Sequence, residues 1–141
     1  MSQADVALLR DAYRDWSSGD FPTASQALAP DIEWVESGTG MPYSGTWHGT
    51  ASVVNDVWTS FVQYWGGPGV VGMETDQFLD AGNHVVVTGR FTGKDSAGHT
   101  LDAPCAHVWR MEGGLAVRFQ NYTDWTVANV AFWTGRAGSD T

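Results

Sequence analysis

Apolar residues along positions 3–18 recur at helical spacing: Val6, Leu9, Tyr13 and Trp16 fall on one stripe. Gly19 supplies a stop. A short second helix is expected over 22–28, with Pro22 in its first turn, ended by Pro30-Asp31. Ile32 to Glu36 reads as a strand and the Gly-rich stretch from Ser37 to Gly45 as a loop. Thr50 to Trp65 reads as a third helix, with Val54, Val57, Trp58, Phe61 and Trp65 on its apolar face and Gly66-Gly67-Pro68 closing it. The period then changes. Val70 to Leu79, His84 to Thr92, Thr100 to Met111 and Leu115 to Asp124 read as four strands separated by short turn signals. Short connections favour antiparallel hairpins. Helices followed by a run of strands predict an α+β layer fold, with a curved sheet and helices enclosing a cavity.

The 141 residues suit one domain, expected over 1–134, with a small, polar, flexible tail at 135–141. Charged residues make up 16%, below the usual ~25%, and 43% are apolar, so the chain has the material for a packed core rather than a disordered ensemble. The net charge of -9 and the single lysine, Lys94, leave no basic stripe for phosphates, so neither nucleic acid nor an anionic membrane is expected as a partner. Cys105 stands alone in an expected strand and reads as a small core hydrophobe. The first residues show neither a secretory leader nor a membrane span, and a cytoplasmic location is the default expectation.

Three segments resemble the nuclear transport factor 2-like superfamily, and within it the SnoaL-like polyketide cyclases and their ketosteroid-isomerase relatives. They are Tyr13 to Asp20 followed by Leu28-Ala-Pro-Asp-Ile-Glu-Trp; Pro42-Tyr-Ser-Gly-Thr-Trp-His-Gly leading into the third helix; and Ala106 to Asp124, a strand, a Gly turn and a last strand ending in Tyr-x-Asp. The likeness spans about residues 6–132. It implies a cone-shaped α+β fold with an internal cavity and a homodimer formed through the outer face of the sheet. Isomerases, cyclases, dehydratases, epoxide hydrolases and non-catalytic binders share this fold, so the site must decide among them.

Asp124 shares a strand face with Gln120 and Tyr122, and the resemblance puts it at the pocket end of the last strand as a catalytic acid or base. His107 alternates with Cys105, Trp109 and Met111, and SnoaL-like sequences often carry a cavity-facing His-x-Trp here. Counting from a hairpin turn near Gly113 puts His107 opposite roughly position 120, nearer Gln120 and Tyr122 than Asp124. Glu36 falls where ketosteroid isomerases carry their general base, although the positions of their oxyanion hole fall near Ala12 and Ala106. Arg90 stands where epoxide hydrolases of this fold carry an Arg-x-Asp, with Thr92 in place of the acid. Trp34, Tyr43, Trp47, Trp109 and Tyr122 are the expected walls of the site, with Arg90 beside them; Trp16, Trp58 and Trp65 are expected in the core, and Trp125 and Trp133 at the mouth or the dimer face. The four histidines lie at no metal-ligand spacing, and neither metal nor cofactor is expected.

These residues imply a cofactor-independent acid/base enzyme for a hydrophobic carbonyl compound, with Asp124 as base and His107 and Tyr122 orienting the substrate for an aldol-type cyclisation or an isomerisation. A non-catalytic binder of a hydrophobic ligand and a hydrolase of limonene-epoxide-hydrolase type are the alternatives.

Overall fold

The computed structural model describes residues 2–37, 42–67, 70–95 and 97–124. Helix α1 (Ser2–Ser17) is followed by α2 (Phe21–Ala24) and a 3-10 turn (Ser25–Ala27). Gly19 ends α1 with φ 86°: its N–H donates to Trp16 O and that of Asp20 to Asp15 O, the paired bonds of a Schellman closure. The Asp20 carboxylate then caps α2 at Thr23 N. One glycine and its neighbour thus turn the chain between two helices.

Strands β1 (Leu28–Glu36) and β2 (Gly45–His48) come next. β2 falls where the sequence suggests a loop running into the third helix. The expected helix over 50–65 forms as three consecutive segments of different pitch: α3 (Thr50–Ser52), a π-helical segment (Val53–Trp58) and α4 (Thr59–Tyr64). The Thr59 backbone N–H and its Oγ1 both donate to Val54 O, five residues back, the wide pitch of the π-helical segment. The chain then runs β3 (Gly72–Ala81), β4 (His84–Lys94), β5 (Thr100–Glu112) and β6 (Leu115–Thr123), all joined by short turns.

The six strands form one curved, unclosed sheet in the order β2-β1-β6-β5-β4-β3. Every pair is antiparallel except β1 and β6, which run parallel. The α+β architecture expected from the sequence is the one present. Gly89 permits a close approach near a register shift between Thr75 and Gln77, since a Cβ there would stand 2.1 Å from Glu74 O.

A second irregularity decides which face β6 presents. Met111 pairs with Ala116, but Arg110 pairs with Arg118, so one extra residue is absorbed at Val117. Beyond it Phe119 and Asn121 are buried, and Gln120, Tyr122 and Asp124 face away from the core. The helices cover the concave face. Leu9 and Tyr13 of α1 and Val57, Trp58, Phe61 and Val62 from the third helical stretch pack there in one core. Among the described residues no helix is long and apolar enough to cross a membrane. The expected tail at 135–141, Trp125 and Trp133 lie outside the described residues.

Candidate active site

The register brings one polar row across the concave face. Glu36 on β1 stands beside Asn121 on β6, and Asn121 stands opposite His107 on β5. The row beneath it is aromatic. Trp34 stacks on Phe119 at 3.8 Å between ring centroids, and Trp109 tilts against Phe119 at 4.6 Å. The polar row is therefore laid on a floor of rings and roofed by α1.

Glu36 is 8% exposed. Trp34 Nε1 donates to its Oε1 at 2.8 Å and Asn121 Nδ2 to its Oε2 at 2.7 Å. Burial penalises the charged carboxylate and pushes its pKa up to about 7; the Asn121 and Trp34 hydrogen bonds pull the other way. A carboxylate oxygen has two lone pairs, so each oxygen keeps one free for a further partner. Thr123 Oγ1 donates to Asn121 Oδ1 at 2.6 Å and fixes the amide's orientation.

His107 is 2% exposed, and burial holds its pKa down to about 3, so the ring is neutral. Tyr13 OH lies 2.5 Å from Nδ1, and Trp109 Nε1 donates to the same phenol oxygen at 2.8 Å. An indole N–H can only donate, so the phenol's own hydrogen is free to go to Nδ1. That arrangement puts the imidazole proton on Nε2. The opposite tautomer would strand both the phenol hydrogen and the Nε2 lone pair. The Asn121 side chain approaches the ring and partly offsets the pKa shift, yet Nε2 closes no hydrogen bond among the described residues. Burial raises the Tyr13 phenol well above its ordinary value, so it stays a neutral donor.

These groups face a small cavity of about 50 Å³. Trp34, Glu36, Phe91, His107, Trp109 and Phe119 line it from the sheet. Tyr13, Trp16, Val57, Trp58 and Phe61 line it from the helices, with Val57 and Trp58 supplied by the π-helical segment. In such apolar walls a carboxyl at about 7 and a neutral imidazole N–H form a base and a hydrogen-bond donor.

Of the residues expected from sequence, Glu36, His107, Trp34 and Trp109 line the cavity. Asp124 does not. It stands exposed just past β6, its N–H donating to Pro104 O, because the extra residue at Val117 turns its face outward. Tyr122, 57% exposed, lies on the same outer face. Arg90 is exposed and pairs with Asp102 at 2.5 Å across β4 and β5. Trp47 is half-buried on β2 and donates to Tyr43 O. Tyr43 is buried but packs against Phe61 and accepts from Trp65 Nε1, away from the cavity lining. Trp16 and Trp58 do line the cavity, although their helical stripes read as core. Among the described residues no cluster of three or more His, Cys, Asp or Glu is suited to a metal ion.

A model of the SnoaL-like domain matches residues 9–119. The chain belongs to the SnoaL-like family. No curated protein matches it. Among solved structures, this SnoaL-like domain is similar to a nuclear transport factor 2-like protein from Burkholderia thailandensis E264, with 29% identity and a TM-score of 0.81 over 91% of this chain and 96% of that one. It is also similar to a nuclear transport factor 2-like protein of unknown function from Burkholderia pseudomallei K96243, with 27% identity and a TM-score of 0.78 over 90% of this chain and 95% of that one. TerC, co-crystallised with polyporic acid, matches at 26% identity and a TM-score of 0.78 over 89% of this chain and 95% of that one. The matched segment of the SnoaL-like domain holds Tyr13, Glu36, His107 and Trp109, while Asn121 and Thr123 stand just beyond it.

Sequence reasoning gave Asn121 and Tyr13 no part in the site and placed Trp16 in the core. Asn121 carried a usable signal: it alternates with Phe119, a large apolar residue that marks the inward face of β6.

Proposed function

We propose that this SnoaL-like domain is a cofactor-independent acid/base catalyst for a hydrophobic carbonyl compound. Glu36 is the base and His107 the donor to the carbonyl oxygen. The observation that carries this reading is a buried carboxyl at about 7 facing an aromatic-walled cavity that also holds a neutral imidazole N–H. Ionised Glu36 takes a proton from the carbon next to the carbonyl. The C–H electron pair moves into the new C=C bond, and the carbonyl pair moves onto oxygen. The enolate oxygen then accepts from His107 Nε2–H. The enolate carbon next attacks a second carbonyl in the same molecule, giving an aldol-type cyclisation, or is reprotonated elsewhere, giving an isomerisation. Glu36 returns the proton in either case. A structure similar at 26% identity was co-crystallised with polyporic acid, which supports a small-molecule ligand for this chain too.

The acid–arginine arrangement of an epoxide hydrolase has less support, because Arg90 is engaged by Asp102 outside the cavity. The test uses 1-tetralone, a bicyclic ketone with exchangeable protons next to its carbonyl. The protein in D₂O should exchange them, followed by proton NMR, and Glu36→Gln should slow this by about 10²–10⁴-fold. Equal exchange in the variant would remove Glu36 as the base. Calorimetric binding without exchange would favour the non-catalytic ligand-binding domain.

A further inference from the structure

Four buried side-chain polar atoms close no hydrogen bond among the described residues: Trp16 Nε1, Ser44 Oγ, Thr88 Oγ1 and His107 Nε2. The two nitrogens belong to cavity-lining residues, and the two hydroxyls do not. A hydroxyl can rotate toward an acceptor, but an indole N–H is fixed by its ring. Leaving such a donor dry and unpaired costs the full desolvation of the group, so buried donors are normally satisfied. Nothing among the described residues satisfies Trp16.

The position of Trp16 gives its N–H a use. Trp16 lies one turn beyond Tyr13 on α1, about 4.5 Å further along the helix axis. Tyr13 reaches the Nδ1 side of His107. The Phe91 ring lies against His107 at 5.3 Å and against Trp16 at 6.2 Å, and Phe61 packs on both Phe91 and Trp16. The two unpaired donors are therefore set apart along one cavity, with phenyl rings lining the space between them.

We propose that the ligand carries a second hydrogen-bond acceptor oxygen, separated from its reacting carbonyl by an apolar ring body, and that the Trp16 indole N–H receives it. The substrate class is then a cyclic or aryl ketone with a distal carbonyl, ether or hydroxyl oxygen. This rests on reading the cavity as the substrate site. It does not require that Glu36 be the base.

The probes are 1-tetralone and its 5-, 6- and 7-methoxy derivatives, which add one acceptor at different places on the ring. Binding is measured by calorimetry. At least one methoxy isomer should bind about five- to tenfold more tightly than the parent ketone, the worth of one neutral hydrogen bond. In Trp16→Phe that ratio should fall below twofold, whatever the change in parent affinity. An independent reading on the unaltered protein uses indole-¹⁵N labelling: one of the eight tryptophan N–H resonances should shift with the favoured isomer and stay in place with the parent. The proposal is overturned if no isomer gains more than twofold, which would mean that water alone satisfies Trp16. It is also overturned if the gain survives Trp16→Phe, if no indole resonance responds, or if none of the four ketones binds. Glu36→Gln separates the two readings, since it should slow proton exchange by about 10²–10⁴-fold and preserve the methoxy gain.

Discussion

Asn121 donates to Glu36 at 2.7 Å across the parallel β1–β6 pair, from a position 85 residues later in the chain. This bond favours the charged carboxylate and so opposes the burial that raises its pKa. Asn121→Leu should therefore move the pH midpoint of proton exchange from about 7 toward higher pH, by about one unit. The pH profile of 1-tetralone exchange checks this. An unmoved midpoint would mean that Glu36 is not the group titrating in the reaction.

Glu36 also links stability to pH. Its folded pKa of about 7 lies above the ordinary 4.5, so the folded protein holds this proton more tightly than the unfolded chain does. The stabilising contribution is full below about pH 4.5 and is lost as pH rises through 7. The loss amounts to ~3 kcal/mol at most. The difference in unfolding free energy between wild type and Glu36→Gln should fall by that order between pH 4.5 and 8, measured by urea denaturation. His107, whose folded pKa is depressed to about 3, gives stability that is lost as pH falls below 6.5, but it does so in both proteins and cancels.

His107 should remain neutral with its proton on Nε2 between pH 4.5 and 8, as seen by ¹⁵N NMR of the ring. Tyr13→Phe removes the donor at Nδ1. The variant should show a mixture of tautomers and exchange about tenfold more slowly, because part of the population presents no N–H to the substrate oxygen. A purely structural role for Tyr13 would leave the tautomer untouched.

Asp124 is the counter-test. Its carboxylate is exposed and off the cavity wall, so Asp124→Asn should leave exchange within twofold of wild type. A hundredfold loss would restore it as the base and displace Glu36.

The outer face of the sheet carries Tyr122 at 57% exposure and Leu79 at 45%, with half-buried Val86, Ala106 and Val108 between them. We propose that a second copy of the chain covers this face. Sedimentation velocity should give a dimer for wild type, and Tyr122→Asp should give a monomer that still catalyses exchange. A monomeric wild type would refute the proposal.

The element order was legible because periodicity is local. Val6, Leu9, Tyr13 and Trp16 announce a helix by themselves, and the Gly turns announce the hairpins. Which face of a strand looks inward depends on register, and register was lost at one residue. Counting back from Gly113 sets Gln120 against His107, whereas the extra residue at Val117 sets Asn121 there. That single shift exchanged Asp124 and Tyr122 for Asn121. Trp16 and Trp58 pack in or against the core as their stripes predict and also line the cavity, since a helix stripe facing a core and one facing a cavity have the same spacing. The burial of Glu36 had no local signal, since Asn121 and the covering helices come from distant parts of the chain.

The parallel junction between β1 and β6 has a consequence for how the chain acquires reactivity. Neighbouring hairpins can zip locally, but joining residue 36 to residue 121 must close a loop of most of the domain, a contact with a high entropic cost. Until that closure Glu36 is an ordinary exposed acid of pKa near 4.5. Its proton affinity rises when the folded sheet and helices bury it. On the proposed function, a partly folded chain therefore lacks a base tuned to neutral pH.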